Sequence, residues 1–176
     1  IFPFKNRSEA YIAMLRNINR MNWLILYLFG SSPILSKNFI TKANTSFKKL
    51  DDKTYYMPHA TSLRMSEYGY SNSSRIKLNV SMNSLDEYIA DLQSATNTPC
   101  SKFEKFKDSH HYNAQISSNF LQIDDEYYAV ARPKSNIILN QQLSTKLRAG
   151  GIDFIEFRSL DLNPFSKIGI DEETVL

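Results

Sequence analysis

Cysteine is nearly absent from this 176-residue chain: Cys100 is the single thiol. One thiol excludes an internal disulfide framework, and without a CxxC pair or a Cys/His cluster a zinc site of the usual spacing is excluded as well. Such usage suits a reducing compartment and sets the expectation of a cytoplasmic protein. Long apolar runs are missing too. The most apolar stretch, residues 23–29, is far short of the roughly twenty residues that a membrane span needs. Lys5 and Arg7 precede a polar Ser8-Glu9 pair rather than an apolar run, so neither a signal peptide nor a membrane is expected. With 5 Gly and 6 Pro, collagen-like and low-complexity classes are out. Charge of one sign is scarce: 21 Lys plus Arg against 18 Asp plus Glu leave +3, too weak by itself to argue for nucleic acid or an anionic surface. No glycine-rich phosphate cradle and no nucleophile elbow occur.

What is present is a globular composition, 42% hydrophobic and 22% charged, in a length that suits one domain or a piece of a larger one. Residues 8–29 read as a long helix: Tyr11, Met14, Leu15, Ile18, Met21 and Leu28 recur at three- and four-residue steps, Ser8 is the candidate N-cap, and Gly30 stops it. Because residues 23–29 are apolar nearly all round, a buried core helix is favoured over a basic helix lying on a membrane. Residues 31–60 look irregular, with Tyr55 and Tyr56 in a short strand ended by Pro58. Alternation predicts a half-buried strand over 76–80. Ser84-Leu85-Asp86-Glu87 reads as a capping box opening a helix over about 85–96 that buries Leu85, Tyr88, Ile89 and Leu92. Residues 116–123 and 126–132 read as two strands joined at Asp124-Asp125. Gly150-Gly151 opens an apolar strand over 152–158, followed by a loop over 160–169. The class is α+β, antiparallel strands flanked by helices, with residues 1–176 forming a single partial domain. The chain starts at Ile1, and Asp171-Glu172-Glu173 suits a first helical turn with almost no residues left, so a piece of a longer protein is expected.

Chemistry concentrates in Ile155-Glu156-Phe157-Arg158-Ser159-Leu160-Asp161-Leu162-Asn163-Pro164-Phe165. Strand alternation puts Glu156 and Arg158 on one face, about 7 Å apart. That pairing is either a structural ion pair or a carboxylate for a hard cation beside a guanidinium that grips phosphate. A second cluster, residues 60–70, sets Arg64, Tyr68 and Tyr70 near Gly69; a third runs from Leu121-Gln122-Ile123 through Tyr128 to Arg132-Pro133-Lys134. Taken alone, each reads rather as a packed or solvated surface. His110-His111 lies in a Lys-rich stretch and reads as exposed loop, His59 lacks an evident partner, and Cys100 lacks a base.

Together these blocks resemble a family. Asn19-Arg20-Met21-Asn22-Trp23 with Tyr27-Leu28-Phe29-Gly30-Ser31-Ser32-Pro33, then Ala60-Thr61-Ser62-Leu63-Arg64 with Gly69-Tyr70, then Leu121-Gln122-Ile123 with Tyr127-Tyr128 and Arg132-Pro133-Lys134, then Gly150-Gly151-Ile152 through Phe165, look like the proteobacterial type of glutamate–cysteine ligase. Arg-Ser-Leu-Asp-x-Asn-Pro-Phe is the most specific string. The Glu156-Phe157-Arg158 strand also resembles the more distant glutamine synthetases, which implies an antiparallel active-site sheet of the glutamine synthetase-like type, incomplete in a fragment.

The resemblance implies ATP-dependent joining of the γ-carboxylate of L-glutamate to the amine of L-cysteine through γ-glutamyl phosphate, with Mg as cofactor, as the first step of glutathione biosynthesis. It implies Glu156 as a metal ligand, Arg158 as a phosphate contact and Arg64 as the arginine facing the substrates, with Arg64 and Arg158 catalytic. By the same likeness Tyr70 and Tyr128 line the cysteine pocket, Arg132 and Lys134 hold nucleotide or phosphate, and Asp161 and Asn163 shape the loop after the strand. Further metal-binding carboxylates belong to parts of the family that this chain does not match, so the remaining polypeptide is a required partner and the piece alone is expected to be inactive. Two alternatives stay open. One is a carboxylate–amine ligase with another acceptor. The other is a non-catalytic nucleic-acid binder, which pI ≈ 8.9 with 10 Tyr and 11 Phe allows but which core packing of those aromatics argues against.

Overall fold

The computed structural model describes residues 3–40, 46–69, 78–106, 115–137 and 140–172. In chain order the elements are helix α1 (Arg7–Phe29), strands β1 (Ile34–Ser36), β2 (Lys48–Lys49) and β3 (Thr54–Tyr56), helices α2 (Leu85–Asn97) and α3 (Ser101–Glu104), strand β4 (Ala131–Lys134), helix α4 (Leu143–Gly150) and strand β5 (Phe154–Phe157). All the named strand pairs are antiparallel, in one three-stranded and one two-stranded sheet, as the α+β class requires. Among the described residues no helix is long and apolar enough to cross a membrane. The chain divides into two compact units, residues 1–19 with 75–158, and residues 20–74 with 159–176.

In the first unit the opening of α1 is set by polar side chains. Asn6, not Ser8, caps it: the Asn6 side chain accepts the Glu9 N–H at 2.9 Å, and Glu9 accepts the Lys5 N–H at 2.6 Å. Ser8 sits inside the helix, and its hydroxyl accepts the Ile152 N–H at 3.0 Å instead. Arg7 donates to the Ile152 carbonyl and pairs with Asp153, so the first turn of α1 grips the chain entering β5. Ile12, Leu15 and Ile18 then join Tyr88, Ile89 and Leu92 of α2 and Leu143 and Leu147 of α4 in one hydrophobic core. Helix α2 follows the sequence closely. Ser84 accepts the Glu87 N–H, but Glu87 reaches Ser81 and Asn83 rather than back to Ser84, so only half of the capping box forms. Leu85 is only partly buried.

Three expectations in this unit are corrected. No strand covers 116–123 or 126–130. Asp124–Glu126 is a 3₁₀ turn and β4 is confined to Ala131–Lys134. The reason is polar competition: Glu126 takes the Gln122 N–H, Asp124 takes the Ser144 N–H, and Arg132 reaches back to the turn, so these backbones are drawn away from a hairpin. Of the strand expected over 76–80, residues 76 and 77 lie outside the described residues and residues 78–80 are not in a strand. Helix α4 went unread. Its first turn is capped from a distance by buried Asp124, whose carboxylate accepts the Ser144 N–H at 2.7 Å, and Gly151 at φ 71° closes it with a bond to the Leu147 carbonyl.

In the second unit β3 lies between β1 and β2, so residues 31–60, expected to be irregular, carry a small sheet. Gly30 ends α1 because backbone passes too close for a side chain: a Cβ there would meet the Leu26 carbonyl oxygen at 2.5 Å and Thr61 at 2.7 Å. The end of α1 is not enclosed as expected, since Trp23, Tyr27 and Leu28 are 65%, 70% and 58% exposed. Phe39 and Phe165 are exposed as well, so core packing accounts for Tyr88 and Tyr127 but not for these aromatics. His59 is exposed; His110 and His111 lie outside the described residues.

Candidate active site

In the first unit the candidate residues lie on the two-stranded sheet. Its register pairs Arg132 with Glu156 and Lys134 with Phe154 across the ladder, while Ala131 faces Phe157 and Pro133 faces Ile155. Residues opposite each other share a face, as do residues two apart. Arg132, Lys134, Glu156 and the following Arg158 therefore share one face. Buried Ala131 and Pro133, with partly buried Ile155, take the other. The Arg158 N–H continues the ladder to the Val130 carbonyl at 2.8 Å.

On that face Glu156 and Arg158 are both half-buried, and they do not pair as the spacing allowed. Glu156 instead meets the Lys134 ammonium at 3.3 Å, with 41% of its own side chain exposed. Arg158 lies with its guanidinium carbon 5.8 Å from the centre of the Tyr128 ring, in cation–π range. Arg132 is buried. Its side chain is 3% exposed, and it donates to the Asp125 carboxylate at 2.8 Å, to the Asp125 carbonyl at 2.7 Å and to the Tyr127 carbonyl. A buried guanidinium needs such acceptors, and they tie Arg132 to the 124–127 turn. Beneath it, burial pushes the Tyr88 and Tyr127 hydroxyls up, so both stay neutral phenols. Tyr70 lies outside the described residues. Cys100 is buried.

The second unit holds Arg64. Ser32 runs beside Ser62 in a parallel bridge, fixed by Ser32 N–H to Thr61 carbonyl at 3.1 Å and Leu63 N–H to Ser32 carbonyl at 2.7 Å. Asp161 closes this arrangement. Its side chain is 2% exposed; one oxygen accepts the Ser31 N–H at 2.9 Å and the Ser32 hydroxyl at 2.7 Å, and the other lies 3.7 Å from the Arg64 guanidinium. Arg64 also donates to the Leu160 carbonyl at 3.5 Å. Ser32, Leu63, Arg64, Tyr68 and Gly69 line an open cleft of about 420 Å³. Asn163 shapes the following loop, bonding Phe165 N–H and Asp171, as expected.

No group of three or more His, Cys, Asp or Glu that could hold a metal ion occurs among the described residues. Glu156 is a single half-buried carboxylate with a cation beside it. This suits one oxygen ligand to an ion held mainly by water and phosphate, not a protein cage. Sequence reasoning missed the Asp161–Ser31–Ser32 link, which joins positions 130 apart and leaves no trace in spacing.

Comparison with known proteins adds to this geometry. Residues 4–176 match the family profile described as glutamate-cysteine ligase. A glutamate–cysteine ligase of Aliivibrio fischeri (strain MJ11) is 45% identical over 174 residues, covering 96% of this chain and 33% of that protein. One from Buchnera aphidicola subsp. Acyrthosiphon pisum (strain Tuc7) is 42% identical over 173 residues, with the same coverage. The crystal structure of the Francisella tularensis glutamate–cysteine ligase in complex with AMP superposes with a TM-score of 0.86 at 33% identity, over 96% of this chain and 34% of that one. A bifunctional glutathione synthetase from Pasteurella multocida shares the fold at a TM-score of 0.62 and 22% identity. The chain thus spans about a third of the length of the curated relatives it matches.

Proposed function

The chain belongs to the glutamate–cysteine ligase family, and on that premise we propose that it forms part of a catalytic domain that joins L-glutamate to L-cysteine at the expense of ATP. The glutamate γ-carboxylate attacks the γ-phosphorus of ATP, giving an acyl phosphate and ADP. The cysteine amine then attacks the acyl carbon, phosphate leaves, and the amine gives up a proton. Binding of an adenine nucleotide is carried over from the AMP complex of the Francisella relative. In this reading Arg158 offsets charge on the transferring phosphoryl group and Lys134 attracts the nucleotide's phosphates. Arg64 faces the glutamate. Tyr128 binds the cysteine carboxylate through its hydroxyl, a role the family resemblance alone also gives Tyr70. Glu156 supplies one oxygen ligand to magnesium, which when bound neutralises charge between phosphates and carboxylate. Arg132, tied to the 124–127 turn, adds positive charge toward the same phosphates. The sheet is an incomplete piece of the glutamine synthetase-like type, the remaining metal ligands come from the rest of the polypeptide, and the enzyme works in the cytoplasm.

The observation that supports this reading is the register of β4 on β5, which groups a carboxylate with lysine and arginine on the face turned away from Ala131, Pro133 and Ile155. The test uses the full-length polypeptide with ATP, magnesium and glutamate, offering cysteine, 2-aminobutyrate, glycine or ammonia in turn. The expected result is ADP, phosphate and γ-glutamylcysteine in equal amounts, with cysteine the best acceptor by kcat/KM. Phosphate release without any amide product, or preference for ammonia, would overturn it.

A further inference from the structure

We infer that Asp161 is a positioning residue for Arg64, holding its guanidinium toward the cleft; this rests on the reading of Arg64 as a substrate contact. Asp161 is buried, and a buried carboxylate persists only if donors and a countercharge compensate it. One of its oxygens is satisfied by Ser31 N–H and the Ser32 hydroxyl, at 2.9 and 2.7 Å. The other has no hydrogen-bond donor, and its opposite charge is Arg64 at 3.7 Å. The Arg64 side chain is 36% exposed and lines the cleft, so the guanidinium that answers Asp161 also borders that space. The same carboxylate also anchors the backbone of Ser31 and Ser32, and the Ser32 hydroxyl oxygen lies 3.4 Å from the Arg64 N–H. Asp161 thus fixes both the root and the head of Arg64. A guanidinium held at both ends loses little freedom when an anion arrives, so the cost of ordering it is met on folding rather than on binding.

The test is a cycle of variants in the full-length enzyme. Asp161→Asn keeps an oxygen for Ser31 and Ser32 but removes the charge that holds Arg64. It should raise KM for glutamate about tenfold and leave kcat within about threefold, because an interaction with bound substrate is weakened and not one unique to the transition state. In the double variant with Arg64→Ala, KM should equal that of Arg64→Ala alone, because Asp161 acts through Arg64. Should Asp161→Asn not fold, Ser32→Ala loosens the same carboxylate and should raise KM about threefold. Losses that multiply in the double variant, or an unchanged KM in both single variants, overturn the positioning role while leaving the ligase reading intact. An Arg64→Ala enzyme with normal KM and kcat removes the substrate role of Arg64, and the inference with it. Absence of ligase activity in the parent enzyme overturns the proposed function itself.

Discussion

Replacing Glu156 by Gln separates a metal ligand from an ornamental ion pair by magnitude. The pair with Lys134 spans 3.3 Å, with side chains 41% and 29% exposed. Pairs of that exposure contribute about 0.2–1 kcal/mol after screening and side-chain entropy. Glu156→Gln should therefore cost no more than about 1 kcal/mol of stability, and Lys134→Met, which breaks the same pair, should cost about the same. Even if the whole of that loss reached the transition state, it would slow turnover by only about fivefold. A ligand to the catalytic cation is a larger matter. Removing it should lower kcat/KM by at least about 100-fold, about 2.7 kcal/mol, and shift the magnesium dependence to higher concentration. The assay is coupled ADP release by the full-length enzyme across a magnesium titration, with melting temperatures measured in parallel. A loss within fivefold and an unmoved magnesium midpoint would show that Glu156 is only the partner of Lys134.

Three further outcomes follow from the geometry. Leu92 is fully buried at the centre of the first unit's core, so Leu92→Ala should cost about 2–5 kcal/mol, read as a lowered urea midpoint. Gly30→Ala would force a methyl against the Leu26 carbonyl and the Thr61 backbone, and should cost about 1–3 kcal/mol where an exposed helix end would gain from alanine. Asp153 has its carboxyl held below its ordinary value of 3.8, first by the Asn136 N–H and also by Arg7. Its folded form is favoured in full above about pH 4, and that contribution fades as pH falls through the lowered value. Melting temperature followed from pH 6 to 2 should fall less steeply in Asp153→Asn than in the parent.

Much of the fold was legible where the cause is local. The spacing of Leu15 and Ile18 marks the buried face of α1, although Met14, Met21 and Leu28 of the same pattern are exposed and Ile12, outside it, is buried; Ser84 marks the start of α2, because caps act within a few residues. Helix α4 was legible only in part. Leu143 and Leu147 carry the right spacing, but its cap is Asp124, twenty residues upstream. The two strands expected around Asp124-Asp125 failed for a related reason. Alternation was present, yet Arg132 and Glu126 directed their side chains at the backbone of the turn.

The sequence by itself determined that Glu156 and Arg158 share a face, since a strand alternates whatever surrounds it, and its blocks from Asn19 to Phe165 determined the family. Which partner each charge takes was decided only by the tertiary structure. Lys134 reaches Glu156 because β4 lies beside β5 in one register, Arg132 turns inward because the 124–127 turn offers three oxygens, and Asp161 meets Ser31 across 130 residues. A hydrogen bond depends on a few tenths of an ångström, and no spacing along the chain carries that distance once the intervening backbone has folded.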